Sequence, residues 1–201
     1  MTAPLGPDFY DRPVVQVARD LVGCVLQHGD RSGRIVETEA YHHTEAACHA
    51  YVGLTARTST LFAGPGTAYV YRSYGIHALV NAVSEAHDVG AAVLVRALEP
   101  LTGVGAMRDA RGRDGLEELC SGPGKLTQAL GIELELDASS LVTGPLRIFP
   151  PAPGTPAVAL TASERIGITK AVELPWRFSA VGSRYVSRPW PRGLDAPRRR
   201  S

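Results

Sequence analysis

Thirteen consecutive residues, 37–49, hold three carboxylates (Glu37, Glu39, Glu45), three imidazoles (His42, His43, His49), the thiol of Cys48 and the phenol of Tyr41. A carboxylate beside a phenol can accept a proton from water or steady a developing positive charge, so the run suits general-base hydrolysis. A zinc reading also has to be weighed, because His42, Glu45, Cys48 and His49 are all zinc-type ligands. Their spacing matches neither HExxH nor a pair of CxxC motifs, and no metal or other cofactor is expected.

A second cluster gathers Tyr69, Tyr71 and Tyr74 beside Arg72 and Asn81. On a strand, Tyr69 and Tyr71 share a face. Two readings stand: cross-strand aromatic packing, or a stacking platform for a flat, electron-poor or cationic heterocycle. A third feature, Ser121-Gly122-Pro123-Gly124-Lys125, opens a predicted helix, where backbone N–H groups and a cation together favour a phosphate.

The elements that must position these residues are legible in outline. Asp11 before Arg12-Pro13 predicts a helix over 12–22 with Val14, Val17, Ala18, Leu21 and Val22 recurring at helical spacing. Strands are expected over 24–27 and 34–41, joined by the turn residues 28–33. In the second strand Val36, Thr38 and Ala40 face the core, and Glu37, Glu39 and Tyr41 point the other way. A short helix is expected over 44–49 and a loop over 53–66. Strands follow over 69–76 and 77–83, paired near Gly75, and an apolar strand over 91–98 that Pro100 stops. Helices over 102–111 and 125–130, strands over 141–149 and 177–181, and a proline-stiffened connection over 150–156 complete the prediction. The class is α+β: one mixed domain with a curved, mainly antiparallel sheet, hairpins and surrounding helices. Its core spans about 8–185, and 186–201 form a basic tail.

Composition narrows the function classes. The chain has 201 residues, 44% hydrophobic and 20% charged, enough apolar surface to fold without a disulfide or metal staple. Three widely spaced cysteines and no apolar run of membrane-spanning length point to the cytoplasm. The net charge of +1 excludes a uniformly basic coat but conceals a gradient. Residues 1–100 carry 7 basic and 10 acidic groups, whereas residues 151–201 carry 9 and 3 and end in Arg198, Arg199 and Arg200. A polyanion-facing surface would therefore draw on the C-terminal third.

The chain resembles the alkyladenine (3-methyladenine) DNA glycosylases of the human type and their bacterial relatives. The resemblance is carried by Arg34-Ile35-Val36-Glu37-Thr38-Glu39-Ala40-Tyr41, His49, Pro65-Gly66-Thr67-Ala68-Tyr69-Val70-Tyr71, Tyr74-Gly75 and Asn81, and then by residues 93–100 and 119–126. It implies Glu39 as the base that activates water, with Glu37 as its structural partner. Arg96 orients the water or the backbone near it. By the same resemblance Tyr41, His49 and Tyr71 are expected to line the pocket for a flipped base, Asn81 to reject guanine's exocyclic amine, and Tyr74 to intercalate. Lys125, with Ser121 and Gly122, contacts the DNA backbone. The partner implied is double-stranded DNA containing a damaged purine, bound by a monomer. The loop after Arg57, Thr58-Ser59-Thr60-Leu61-Phe62, departs from the family pattern, as do His42 and His43, expected in a solvated turn, and Cys48, expected to be a buried spacer.

Two other classes compete. A binding module without catalysis fits the basic C-terminal third and the aromatic hairpin, and a zinc hydrolase fits the run from His42 to His49. Only Lys125 and Lys170 supply lysine, neither in the motif region, which disfavours a Schiff-base lyase. The charge is expected to divide between pocket and grip, with Lys125, Arg184 and Arg188 on the same face as the Glu39 pocket.

Overall fold

The computed structural model describes residues 3–191. A short helix α1 (Pro7–Tyr10) leads into α2 (Val14–Leu21), whose Val14, Val17, Ala18 and Leu21 are buried as the spacing predicts. The residue at the N-cap is Pro13, not Asp11, whose side chain makes no capping bond. Strands β1 (Val25–His28), β2 (Arg31–His42), β3 (Ala68–Ser73), β4 (His77–Val83) and β5 (Ala91–Thr102) follow. Next come helices α3 (Val104–Arg111), α4 (Leu116–Leu119) and α5 (Pro123–Leu130), then β6 (Leu146–Phe149), β7 (Leu160–Ser163) and β8 (Arg177–Ala180).

All eight strands form one antiparallel sheet in the order β3-β4-β5-β2-β1-β6, with β7 and β8 branching from β2. The branch exists because β2 outlasts its neighbour. Residues 31–34 pair with β1, and residues 37–39, beyond the reach of that short strand, pair with β8. The α+β expectation, with a mainly antiparallel sheet and surrounding helices, describes this architecture.

Two register shifts interrupt the middle of the β2–β5 ladder. Ile35 pairs with Leu98, Glu37 with Ala97 and Thr38 with Val95, so Val36 and Arg96 are each the extra residue of a bulge. A bulge breaks the strict two-residue alternation and re-aims side chains. Here Ile35 and Val36 both enter the main core, as do Ala97 and Leu98. Beyond the bulges alternation resumes: Thr38 and Ala40 lie against α2, with the Thr38 hydroxyl donating to Ala18 O at 2.7 Å, and Glu37, Glu39 and Arg96 share the opposite face.

Several expectations are corrected. Residues 44–48 form turns rather than a helix, because the Glu45 carboxylate accepts the Ala47 N–H locally and is also held by Arg165. Pro100 does not stop β5; it lies opposite Gly33 beside a register shift, where the ladder tolerates a residue with no N–H. The strand expected over 141–149 is confined to Leu146–Phe149, and the short elements α1, α4 and β7 carry no pattern strong enough to predict. The chain remains packed past 185: Val186 and Ser187 are buried and Trp190 packs against the core, so the tail begins later than 186. Arg198, Arg199 and Arg200 lie outside the described residues.

Candidate active site

On the face of β2 opposite the main core, Glu37 and Glu39 are fully buried. The buried guanidinium of Arg96 joins them: its Nε donates to Glu37 at 3.2 Å and its Nη1 to Glu39 at 3.0 Å. Burial opposes the Arg96 charge, but the two carboxylates outweigh it and raise its pKa above the ordinary arginine value. Glu37 also accepts from Arg177 Nε at 2.6 Å, from the Ser187 hydroxyl at 2.9 Å and from the Ser187 backbone N–H at 2.7 Å. With four donors, three on Oε1 and one on Oε2, it is the more heavily bonded of the two carboxylates and serves as a structural anchor.

Glu39 is surrounded differently. Its Oε2 accepts from Arg96 and from the Tyr41 hydroxyl at 2.8 Å, while Oε1 accepts only the Ile166 N–H at 2.7 Å. A carboxylate oxygen can take two donors, so Oε1 keeps a lone pair to offer. Arg96, Tyr41 and Ile166, the three donors, all line a cleft of about 1200 Å³. Glu39 thus lies one side chain beneath the cleft floor.

The cleft walls are aromatic. Tyr69 and Tyr71 stack with ring centroids 5.2 Å apart, and the His49 ring meets Tyr71 edge-on at 4.7 Å. His49 Nδ1 lies 3.2 Å from the Tyr69 hydroxyl. Burial and the nearby Arg57 cation push the His49 pKa below the ordinary histidine value, which keeps the ring neutral at pH 7. Burial pushes Tyr71 up to about 12, with Glu39 adding to the shift, and raises Tyr41 further for the same reasons, so both phenols stay protonated. Asn81 is buried on β4 opposite Tyr69 and donates from Nδ2 to the Tyr69 carbonyl at 3.0 Å. A small apolar cluster of Cys48, Ala50, Leu61, Tyr69, Val83 and Ala92 supports these rings from behind.

Of the residues singled out in the sequence, Arg96, Tyr41, His49, Tyr71, Asn81, Tyr74, Lys125, Ser121 and Gly122 line this one cleft, whereas Glu37, Glu39, His42, His43, Glu45 and Tyr69 do not. Tyr74 stands at the β3–β4 tip, 88% exposed, at φ 49° beside Gly75 at φ 72°. Gly124, whose added Cβ would fall 2.8 Å from the His77 ring, lets the N-terminus of α5 close on that hairpin and so brings Lys125 beside it. Arg184 and Arg188 line the same cleft, as the expected division of charge requires. Lys170 lines it too, so the cleft is not free of lysine; both lysines are exposed.

A family model of methylpurine-DNA glycosylase matches residues 8–184. The chain belongs to the methylpurine-DNA glycosylase family. It is 50% identical to a protein of Bradyrhizobium diazoefficiens over 94% of this chain and 93% of the relative, and 50% identical to one of Methanoculleus marisnigri over 94% and 100%. A third, from Rhodopseudomonas palustris, is 50% identical over 92% of this chain and 88% of the relative. All three bear the name "Putative 3-methyladenine DNA glycosylase".

Sequence reasoning missed four residues of the site: Arg165, Ile166, Arg177 and Ser187. Arg165 holds Glu45 through two bonds at 2.7 and 3.0 Å, donates to Ala40 O, and lies 4.6 Å over the Tyr41 ring. That engagement takes Glu45 out of the zinc set, and Cys48 is a buried thiol directed at Gly90 O. His42 is half-buried at the end of β2 near Glu85 and His43 is exposed in the turn that follows, so the solvated turn begins one residue later than expected. The one sequence signal for these residues is charge set among apolar neighbours, Arg165-Ile166 and Trp176-Arg177-Phe178. Among the described residues no helix is long and apolar enough to cross a membrane.

Proposed function

We propose that this family member is a monofunctional glycosylase that removes alkylated or deaminated purines from double-stranded DNA and thereby initiates base-excision repair. The observation that supports it best is Glu39, held by three donors yet with one lone pair on Oε1 unused, beneath a tyrosine-lined cleft rimmed with cations. A base inside a duplex is shielded by stacking and pairing, so it must rotate out before its glycosidic bond can be attacked. Tyr74 enters the gap, and Tyr41, His49 and Tyr71 hold the extruded base. Asn81, fixed against the Tyr69 carbonyl, excludes guanine's exocyclic amine.

In the bond-breaking step Glu39 takes a proton from water as its oxygen adds to the anomeric carbon. The bond from that carbon to the base nitrogen breaks and its electron pair leaves with the base. An alkylated, cationic base departs neutral, which makes it the better leaving group. The transition state carries positive charge on the sugar, as in glycoside hydrolysis, and the Glu39 carboxylate stabilises it. Arg96 keeps Glu39 in register with this reaction. Lys125, Ser121 and Gly122 grip the phosphates, as Arg184 and Arg188 do, by charge and by backbone N–H groups.

The test is to incubate duplexes bearing one hypoxanthine or one 1,N6-ethenoadenine, and alkylated DNA, with the protein and to cleave abasic sites with alkali. Strand cleavage after alkali is expected for at least one substrate; no release from any overturns the proposal. Glu39→Gln should still bind duplex but release base at least about 100-fold more slowly, the scale of a lost general base. Undiminished release by that variant removes Glu39 from its role.

A further inference from the structure

The hairpin tip that carries Tyr74 has a counterpart. Tyr74-Gly75-Ile76 leaves the cleft wall at Arg72 and Ser73 and returns to it at His77, with Tyr74 88% and Ile76 74% exposed. Val52-Gly53-Leu54 leaves the wall at Cys48 and His49 and returns to it at Arg57, with Val52 74% and Leu54 68% exposed. Both tips place a large apolar side chain on either side of a glycine at positive φ, 72° and 83°. At both glycines an added Cβ would meet open space, so the glycine serves the sharp turn rather than a close approach.

The 52–54 turn is braced from below. Gly53 N–H bonds Ala50 O at 2.9 Å, and the buried Thr58 hydroxyl donates to Gly53 O at 2.9 Å while accepting the Thr55 N–H at 2.8 Å. A rigid support that presents aliphatic groups to water, with Tyr51 also 55% exposed beside them, marks a contact surface. Isolated exposed apolar residues need no explanation, but a braced turn whose two flanking residues are both apolar does.

We propose that residues 52–54 form a second apolar wedge, which enters the minor groove beside the lesion when the Tyr74 tip enters the gap left by the flipped base. The inference rests on the DNA-glycosylase reading of the cleft. The occupant is set by continuity: the loop that carries the turn also supplies His49 and Arg57 to the cleft, and cations at Arg57, Arg72, Lys125 and Arg188 set a phosphate backbone across its mouth. Apolar side chains pressed between base steps unstack and kink a duplex, and two wedges on one cleft share that deformation. A single strand has no stacked opposite strand to open, so the second wedge matters for duplex only.

The test compares wild type with Val52→Asn/Leu54→Asn on one lesion-bearing oligonucleotide, as duplex and as single strand. The duplex kcat/KM is expected to fall about tenfold, with single-strand release and Tm unchanged. A 2-aminopurine placed opposite the lesion's neighbour should lose its fluorescence rise on binding. Val52→Ala/Leu54→Ala, which keeps the turn but trims the wedge, should show the same pattern at smaller size. Equal losses on both substrates, no loss on either, or a dimer by sedimentation that the variant dissolves each overturn the wedge. If wild type releases no base from any substrate, it is the glycosylase reading that fails.

Discussion

Ser187 donates from both its backbone N–H and its hydroxyl to the carboxylate of Glu37, 150 positions earlier, at 2.7 and 2.9 Å. Glu37 in turn accepts Arg96 Nε, and Arg96 Nη1 reaches Glu39. The C-terminal segment is therefore tied to Glu39 through two side chains.

Glu37→Ala leaves the Arg96 and Arg177 guanidiniums buried with one carboxylate fewer, which should destabilise the fold by about 3–5 kcal/mol. Ser187→Ala removes one of the paired donors and should cost about 1–2 kcal/mol. Urea denaturation reads both. A Glu37→Ala loss under about 1 kcal/mol contradicts the anchoring role.

The pH behaviour of His49 has a definite sign. Burial, then the Arg57 cation, lowers its folded-state pKa below its unfolded value. Across the interval between the two the unfolded chain binds more protons, so stability drops as pH falls through that window and is recovered above the unfolded value. By NMR, the His49 titration midpoint should lie below about 6.5, and Arg57→Gln should move it upward. A midpoint at or above that value in the wild type counts against a neutral pocket ring.

Lys125 gives a salt test. As a phosphate contact it contributes to the counterion-release slope, so Lys125→Gln should reduce the slope of log K against log salt by about 1 for duplex, whatever its sequence. An unchanged slope places Lys125 off the DNA path.

Gly124→Ala tests how the phosphate loop and the hairpin are joined. The new Cβ would fall 2.8 Å from the His77 ring and 2.9 Å from its Cβ, so one of the two must move. Weaker duplex binding by fluorescence anisotropy and a lower Tm by thermal melting are expected, because the His77 Cβ is fixed by its backbone and the hairpin or α5 must shift. Wild-type affinity in that variant shows that the spacing of hairpin and α5 is not critical.

How far the sequence reaches is clearest on β2. The two-residue alternation over 36–41 is correct about which side chains share a face, and it is silent on whether the second face is wet. That face is dry because the Arg177 side chain, Ile166 and Ser187 close on its carboxylates, and nothing local to 36–41 encodes their arrival. The bulges at Val36 and Arg96 are equally invisible, since a register shift depends on both strands of the ladder. Residues 44–48 fail as a helix for the same kind of reason: the Glu45 carboxylate is committed to Arg165, 120 positions away.

By itself the sequence determined the chemistry at hand, a pair of carboxylates two apart on a strand and tyrosines two apart on another, because side-chain direction along a strand is a local property. It also determined the order of most elements, through periodicity and turn residues. Only the tertiary structure decided how the two carboxylates differ. Glu37 takes four donors, from Arg96, Arg177 and Ser187, and Glu39 takes three, from Arg96, Tyr41 and Ile166, under the cleft. The physical reason is that a carboxylate's capacity is set by the donors packed around it, and those donors come from chain that only folding brings near.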